Sequence, residues 1–189
     1  MEIRPVQPKD VDALIEIDGT VESSQYLHLE QVQAEDSLSL SWKLEERPQR
    51  QKLIEPNRLD DEILFTAKQI ASGADEGMAL MAEHDDAPVA LLVARPDPAR
   101  GTYRIVDVRI DFEHRREGLG TAMVFQVVAA ARNLEVRAVS AETVTNNFPA
   151  IQLFRKLGFE LSGVDTRYKT NHDVVKESAT LFWYLPLND

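Results

Sequence analysis

Two glycines follow an arginine pair in the turn Arg115–Gly120 (RREGLG), where a strand pattern changes to a helix pattern. Gly118 and Gly120 can adopt positive φ and bring bare backbone close to a ligand, which larger side chains obstruct. The first N–H groups of the following helix have no partner within it and lie at the positive end of its dipole, which favours an anion by about 0.3–1 kcal/mol. These residue types predict a pyrophosphate-binding turn, with an ordinary strand-to-helix turn as the alternative.

This turn needs a strand before it and a helix after it, and the sequence supplies both. The run Thr102–Ile110 predicts the strand. Apolar residues then recur at helical spacing and predict a well-buried helix, on the face formed by Leu119, Met123, Val127, Ala130 and Leu134. Arg115 and Arg116 favour phosphate contact, and a solvated basic pair is the alternative.

The remaining patterns alternate between strands and helices. Strands are predicted at Glu2–Val6, Met78–Glu83, Val89–Ala94, Val136–Thr143, Phe159–Tyr168 and Ala179–Leu185. Helices are predicted at Pro8–Ile17, Leu59–Ala71 and Pro149–Leu157. Residues 19–57 stay unassigned, since SWKLEERPQR fits a short strand or an extended loop. The order predicts an α/β (α+β) fold, a mixed sheet flanked by helices.

Composition bounds the class of protein. A chain of 189 residues with 43% hydrophobic and 28% charged residues favours one globular domain. The absence of cysteine excludes a disulfide framework, a thiolate metal site and a cysteine nucleophile. The net charge of −11 argues against nucleic acid and is compatible with a cationic small molecule, although acidity that only favours solubility is an equal alternative.

Targeting and metal signals are weak in this sequence. The N-terminus lacks the basic start and apolar block of a secretory signal, so we expect a cytoplasmic protein. The apolar stretch Ala122–Ala131 is too short to cross a bilayer, and we expect no membrane partner. The histidines have no metal-ligand spacing and predict no metal site; they are His28, His84, His114 and His172.

A second motif begins at Asn147 (NFPA) and continues through Phe154 to Gly158-Phe159. With the glycine turn, it resembles the GNAT superfamily of acetyltransferases, whose Arg/Gln-x-x-Gly-x-Gly/Ala turn and Asn-x-x-Ala-x-x-x-aromatic-x-x-x-Gly-Phe helix occur in this order. The resemblance spans residues 78–185. A looser likeness to streptothricin acetyltransferases lies in Val106-Asp107-Val108, Glu142-Thr143, Asn146-Asn147, Asp165 with Tyr168, and LFWYL at 181–185.

The resemblance implies a fold and a co-substrate. The fold is a GNAT-like, mostly antiparallel sheet of about six to seven strands, flanked by helices and splayed centrally for acetyl-CoA. Residues 1–189 would form a single N-acetyltransferase domain, with a variable acceptor-side segment at 19–72 and a cofactor core at 78–185. No metal is implied.

The resemblance also assigns residues to acetyl-CoA. Backbone amides of Arg116–Thr121 would hold its pyrophosphate, and the strand edge at Val108–Ile110 would pair with its pantetheine arm. Asn147 would lie near that arm, with a helix N-cap as the alternative role. His114 could touch the phosphates, whereas Glu117 would weaken binding unless it points away. The full cofactor set is Val108, Arg109, Ile110, Arg115, Arg116, Glu117, Gly118, Leu119, Gly120, Thr121, Asn147 and Phe154.

Direct acetyl transfer requires a neutral amine. A primary amine has a pKa of about 10.4, so deprotonation near pH 7.4 costs roughly 4 kcal/mol unless a base accepts the proton. Asp107, on the strand that leads to the glycine turn, and Glu142, on the next predicted strand in sequence, are the candidate carboxylates. Asp107 could instead face solvent or cap a backbone group, and Glu142 could pair with Arg109 or Arg137 across strands.

The departing thiolate raises a separate question. Phe154 stands where many relatives carry a tyrosine as general acid, so the sequence lacks that proton donor. A thiol pKa of roughly 8–9 makes slower transfer tolerable without it. Tyr168 is a candidate substitute or acceptor contact, and packing in a strand is its alternative role.

Three functions are therefore weighed for this chain. The first is an acetyl-CoA-dependent N-acetyltransferase that acts on a small, cationic primary amine, of antibiotic or polyamine type. The second is a catalytically weakened module that binds acyl-CoA for regulation or as a scaffold, which Phe154 supports. The third is a protein or peptide N-acetyltransferase. Homodimer formation is left open by the sequence.

Overall fold

Strands and helices alternate along the computed structural model of the chain, which describes residues 1–33 and 40–187. The strands are β1 (Glu2–Pro5), β2 (Val21–Gln33), β3 (Leu40–Glu55), β4 (Met78–His84), β5 (Ala87–Asp97), β6 (Thr102–Ile110), β7 (Ala138–Val144), β8 (Glu160–Asp165) and β9 (Thr180–Pro186). The α-helices are α1 (Asp61–Ala71), α2 (Leu119–Ala131) and α3 (Phe148–Lys156), and 3₁₀ helices lie at Pro8–Glu16 and Phe112–His114.

Seven of the described strands form one mixed sheet. Their order is β1-β4-β5-β6-β7-β9-β8, and β2 and β3 form a separate two-stranded sheet. The pairs β1–β4, β4–β5 and β5–β6 are antiparallel, whereas β6 and β7 are parallel. The predicted α+β class, with a mostly antiparallel sheet flanked by helices, is confirmed.

The chain divides into two compact units. One comprises Met1–Thr20, Pro56–Ala141 and Tyr184–Asp189, and the other comprises Val21–Glu55 and Glu142–Trp183. The first unit contains β6, the glycine turn and α2. The second contains the β2–β3 hairpin, α3 and β8. A single N-acetyltransferase domain over residues 1–189 stays a prediction.

The core of the first unit explains why its central strands form. Residues 89–94 of β5 are all buried, as expected of a strand covered on both faces. On one face, Leu91 and Val93 pack with Met81 of β4, Leu14 of the first 3₁₀ helix and Ala67 of α1. Helix α2 contributes buried side chains at Met123, Val124 and Val127. This packing fixes β6 and the start of α2.

The predicted strands Met78–Glu83 and Val89–Ala94 are confirmed as β4 and β5, which form an antiparallel hairpin. Asp85 and Asp86 have φ of 50° and 63°, the left-handed pair that tight hairpin turns require. The predicted strand at Phe159–Tyr168 is shorter in the structure, because β8 ends at Asp165. Tyr168 therefore lies in the following loop. Helix α2 ends at Ala131, so Leu134 lies beyond it and is 44% exposed.

The unassigned segment contains two long strands. Leu27 and Leu29 of β2 are buried at alternate positions, a period-two signal that the surrounding Gln and Glu residues obscure. Pro48 lies within β3 opposite Gln25, beside a register shift in β2, which is where a strand tolerates proline. Residues 34–39 of this segment lie outside the described residues.

Candidate functional site

The glycine turn has the backbone conformation of an open anion cradle. Gly118 is the N-cap of α2 with φ of 87°, and Arg116 has φ of 68°. A β-carbon at Gly118 would meet no described heavy atom within 4 Å, so glycine is needed there for its conformation. A left-handed arginine two residues earlier is uncommon and typical of functional turns. Helix α2 begins at Leu119, directly after these two residues.

The segment leading into the turn is held by hydrogen bonds to the N-terminal part of the chain. The Asp111 carboxylate accepts from the Asp18 backbone N–H at 2.9 Å and from that of Glu113 at 3.1 Å. The Phe112 N–H donates to the Asp18 carbonyl at 2.9 Å. Arg115 donates from Nε to the Ile110 carbonyl at 3.2 Å, and its guanidinium lies 5.2 Å from the Phe112 ring centroid.

The side chain of Glu117, in the turn, and that of His114, just before it, lie beside each other. Glu117 Oε1 lies 3.8 Å from His114 Nδ1, which directs its negative charge toward that imidazole. The His114 ring in turn lies 5.0 Å from the His84 ring. The sequence left open whether Glu117 points away from the phosphates, and this pairing favours that arrangement.

Strand β6 carries a largely buried charged pair. Arg109 donates from Nε to Asp107 Oδ2 at 2.6 Å and from Nη2 to Oδ1 at 3.1 Å. The side chains are 3% and 13% exposed, respectively. Burial raises the pKa of Asp107, while the hydrogen bond from Arg109 acts in the opposite direction. Neither alternative weighed for Asp107, a solvent-facing position or a backbone cap, describes this geometry.

The edge of β6 expected to meet the pantetheine arm lies beyond its pairing with β7. Along β5, Leu92 opposes Val108 and Ala90 opposes Ile110. On the other side, the parallel ladder joins Thr102–Arg104 to Ala138–Ser140 in the described part of the chain. A register shift against β5 between Asp107 and Ile105 marks a β-bulge, a feature often found beside binding sites.

In the second unit, Asn147 and Phe154 lie on one helix in different environments. Asn147 is the N-cap of α3, and its side-chain oxygen accepts from the Ala150 N–H at 3.3 Å. The capping role weighed for Asn147 is therefore present. Phe154 is 2% exposed, and its ring centroid lies 5.0 Å from that of Phe159 in an edge-on arrangement. Glu142 lies on β7 and is partly buried.

Tyr168 lies in a loop and is 49% exposed, with its ring edge-on to Phe182 at 5.7 Å. The loop is held by the buried carboxylate of Asp173. That carboxylate accepts from the Thr170 hydroxyl at 2.6 Å and from the backbone N–H groups of Lys169 and Thr170 at 2.9 Å. Exposure leaves the Tyr168 hydroxyl available to a ligand more readily than packing within a strand would.

Acid should loosen this loop. The Thr170 hydroxyl and the two backbone donors lower the pKa of Asp173 below its ordinary value. The stabilisation is complete above the unfolded pKa of about 3.9 and is lost as pH falls through the folded value. The free energy of unfolding, measured by urea titration, should therefore decrease as the pH is lowered from about 5 to 2. We expect this decrease to be smaller in Asp173→Asn than in wild type. Thr170→Val should reduce the decrease by less, and an unchanged pH slope in Asp173→Asn would contradict this role.

Sequence reasoning missed a junction beside the expected site residues of the second unit. The buried Thr145 hydroxyl donates to the Glu177 carbonyl at 2.6 Å, and the Thr145 N–H donates to the Ala179 carbonyl at 3.0 Å. The Thr145 carbonyl accepts from the Leu27 N–H at 2.9 Å. Thr145 thus joins β2 and the loop before β9 to the chain that precedes Asn147. These contacts link residues far apart in sequence, and no local pattern signals them.

Other site types find little support. Within residues 1–33 and 40–187, no group of three or more His, Cys, Asp and Glu side chains is arranged to hold a metal ion. The described helices include none with the length and apolar character needed to cross a membrane.

The Acetyltransferase (GNAT) family model matches residues 37–159, and the chain belongs to this family. Streptothricin acetyltransferase from Escherichia coli is 33% identical over 81 residues, 42% of this chain and 46% of that protein. Streptothricin acetyltransferase A from Bacillus subtilis (strain 168) is 29% identical over 84 residues, 44% of this chain and 48% of that protein. The matches thus span about half the length of these curated relatives.

Two solved structures share the fold along nearly the whole chain. Nourseothricin acetyltransferase has a TM-score of 0.76 at 22% identity, covering 99% of this chain and 98% of that chain. A Bacillus anthracis str. Ames protein, described as a streptothricin acetyltransferase and solved in complex with acetyl coenzyme A, has a TM-score of 0.75 at 19% identity and covers 98% of each chain. The resemblance identified from the two motifs is confirmed.

Proposed function

We propose that this chain is an acetyl-CoA-dependent N-acetyltransferase that moves an acetyl group to a primary amine of a small, cationic acceptor of the streptothricin type. The observation that carries the proposal is the glycine turn, with left-handed Arg116 and Gly118 at the start of α2, in a chain of the GNAT family. The similarity to streptothricin acetyltransferases supports the acceptor class.

The donor groups of the turn fit a pyrophosphate. Backbone N–H groups at a helix N-terminus bind anions through hydrogen bonds and the helix dipole. The left-handed residues open the backbone, and no described side chain fills the space beside Gly118. We assign the backbone of Arg116–Thr121 to the pyrophosphate and the edge of Val108–Ile110 to the amide-bearing arm. When bound, acetyl-CoA supplies an acetyl group activated as a thioester.

The residues of the chain must then bind the amine and accept its proton. We propose Glu142, a partly buried carboxylate of β7, as the proton acceptor, directly or through a water. The half-exposed Tyr168 is proposed to contact the acceptor or to donate a proton to the departing thiolate. Asn147 is proposed to combine its capping bond with a contact to the cofactor arm.

One observation favours a second function. Phe154 is buried against Phe159 and has no proton to give, which suits a module that binds acyl-CoA without efficient transfer. Such a module would bind acetyl-CoA and show no turnover. The thiol pKa of roughly 8–9 favours the enzyme, because the thiolate is an adequate leaving group without an acid.

Thiol release separates these functions. We expect the full chain to release CoA thiol from acetyl-CoA in the presence of a streptothricin-type antibiotic, and less or none with aminoglycosides, polyamines or peptides. Acetyl-CoA at about 100 times its Kd should also stabilise the fold by about 2.7 kcal/mol. Stabilisation without release for any amine would favour the binding module, and release with peptides alone would favour a protein N-acetyltransferase.

A further inference from the structure

The Arg109 guanidinium joins two parts of the first unit, strand β6 and the chain at Asn57. Two of its nitrogens bind both carboxylate oxygens of Asp107, and Nη1 donates to the Asn57 carbonyl at 3.1 Å. Its side chain is only 3% exposed. A planar, two-pronged guanidinium can hold a carboxylate and a carbonyl together in this way, whereas an ammonium group lacks the fork.

Gly19 lies against the hydrogen bond between Arg109 and the Asn57 carbonyl. A β-carbon there would lie 2.5 Å from the Asn57 carbonyl oxygen and 3.2 Å from Arg109 Nη1. The first distance is shorter than any real contact, and the obstacle is backbone that cannot swing aside. The chain at Gly19 therefore passes against the Arg109–Asn57 hydrogen bond with room for glycine alone.

Asp18, which precedes Gly19, connects this segment to the residues that lead into the glycine turn. Asp18 donates its backbone N–H to the Asp111 carboxylate and accepts from the Phe112 N–H, both at 2.9 Å. The segment 18–20 is thus fixed at Asp18 to the entry of the turn and at Gly19 against Arg109. Gly19 and Asn57 lie just outside the chain segment 21–55 in sequence. Both flanks of that segment are therefore held close to β6.

We propose that Arg109 is a positioning residue that fixes segments 18–20 and 56–60 against β6, and that Asp107 is its anchor and does not accept the proton of the amine. The catalytic part of this inference rests on the proposed function. It redefines Asp107, which the sequence offered as a candidate base.

The geometry supports an anchor over a base for two reasons. Both Asp107 oxygens accept from Arg109, so protonation would disrupt a bidentate pair inside the fold. The pair is also neutral as a whole, so Asp107 adds little negative potential to attract a cationic amine. Glu142 remains as the carboxylate proposed for the proton.

Amide hydrogen exchange tests the positioning role without any acceptor. In Arg109→Gln, we expect exchange in peptides covering 18–20 and 56–60 to accelerate by about tenfold or more, with partial rescue in Arg109→Lys. Arg100→Gln is the matched control, because Arg100 pairs with Asp97 at 2.8 Å but is 60% exposed, and it should leave both segments unchanged. Unchanged exchange in Arg109→Gln would overturn the positioning role.

The pH profile of kcat/KM tests the anchor role. The double variant Asp107→Asn/Arg109→Gln removes the pair without stranding either charge, and we expect it to keep the acidic limb of the wild-type profile. Loss of that limb, with kcat reduced by about 10²–10⁴-fold and acetyl-CoA binding retained, would identify Asp107 as the base and overturn the inference. If wild type transfers to no amine, the proposed function fails, and hydrogen exchange alone decides whether Arg109 is a positioning residue.

Discussion

Asp107→Ala should lower the free energy of unfolding by about 3–5 kcal/mol, because it leaves the buried Arg109 guanidinium without its carboxylate. The remaining hydrogen bond to the Asn57 carbonyl cannot neutralise the charge. Urea unfolding followed by circular dichroism measures the change, and the slope with denaturant should stay constant if the native fold persists.

Two controls isolate the stranded charge as the cause. The double variant Asp107→Ala/Arg109→Met should recover most of the lost stability, since an apolar side chain of similar length replaces the charge. Asp97→Ala removes the carboxylate partner of Arg100, whose side chain is 60% exposed, so the charge left behind stays in water and the cost should be no more than about 1 kcal/mol. A double variant as unstable as Asp107→Ala, or equal costs at Asp107 and Asp97, would contradict the account.

Gly120→Glu should weaken acetyl-CoA binding by about 100-fold or more, which corresponds to about 2.7 kcal/mol. The substitution places a carboxylate in the first turn of α2, where the proposed pyrophosphate would bind. The added charge should not destabilise the fold, because an acidic residue at a helix N-terminus interacts favourably with the helix dipole. Isothermal titration with acetyl-CoA and a parallel thermal melt separate the two effects.

Gln126→Glu is the matched control for this variant. Gln126 is exposed near the middle of α2, so the same acidic side chain enters the same helix away from the turn. Its acetyl-CoA affinity should stay close to that of wild type. Equal affinities for Gly120→Glu, Gln126→Glu and wild type would contradict the assignment of the pyrophosphate to this turn.

Local sequence patterns were sufficient to predict the strand and helices around the glycine turn. Strand β6 was predicted with its observed bounds, because its β-branched and aromatic residues are delimited by Gly101 and the polar residues after Ile110. The stop of α3 before Gly158, which has φ of 84°, was also readable from sequence. These signals lie within a few residues of the features they specify.

The features of the candidate site that the sequence did not predict depend on contacts between residues far apart in the chain. The Arg109–Asn57 bond joins residues 52 positions apart, and the tight passage of Gly19 depends on that contact. The Asp107–Arg109 pair was accessible in principle, because alternate residues of a strand share a face. Arg109 was instead weighed, with Arg137, as a partner of Glu142 across strands, and burial of the Asp107–Arg109 pair has no local signature.

In the second unit, too, local sequence patterns did not predict structure that depends on long-range contacts. The β2–β3 hairpin was missed because its strands carry few apolar residues, and pairing across the hairpin compensates for weak local propensity. The predicted strand Phe159–Tyr168 is present as β8 but was predicted to end too late, for the opposite reason. A continuous pattern runs past Asp165, and the Asp173 carboxylate holds residues 169 and 170 in a loop.

Transfer of a radiolabelled acetyl group tests the proposed activity most directly. The full chain would be incubated with labelled acetyl-CoA and a streptothricin-type antibiotic, and the antibiotic would then be separated and counted alongside thiol release. The proposed function predicts label on the antibiotic amine in equal amount to the thiol released. No label on the antibiotic, with acetyl-CoA bound and intact, would contradict it.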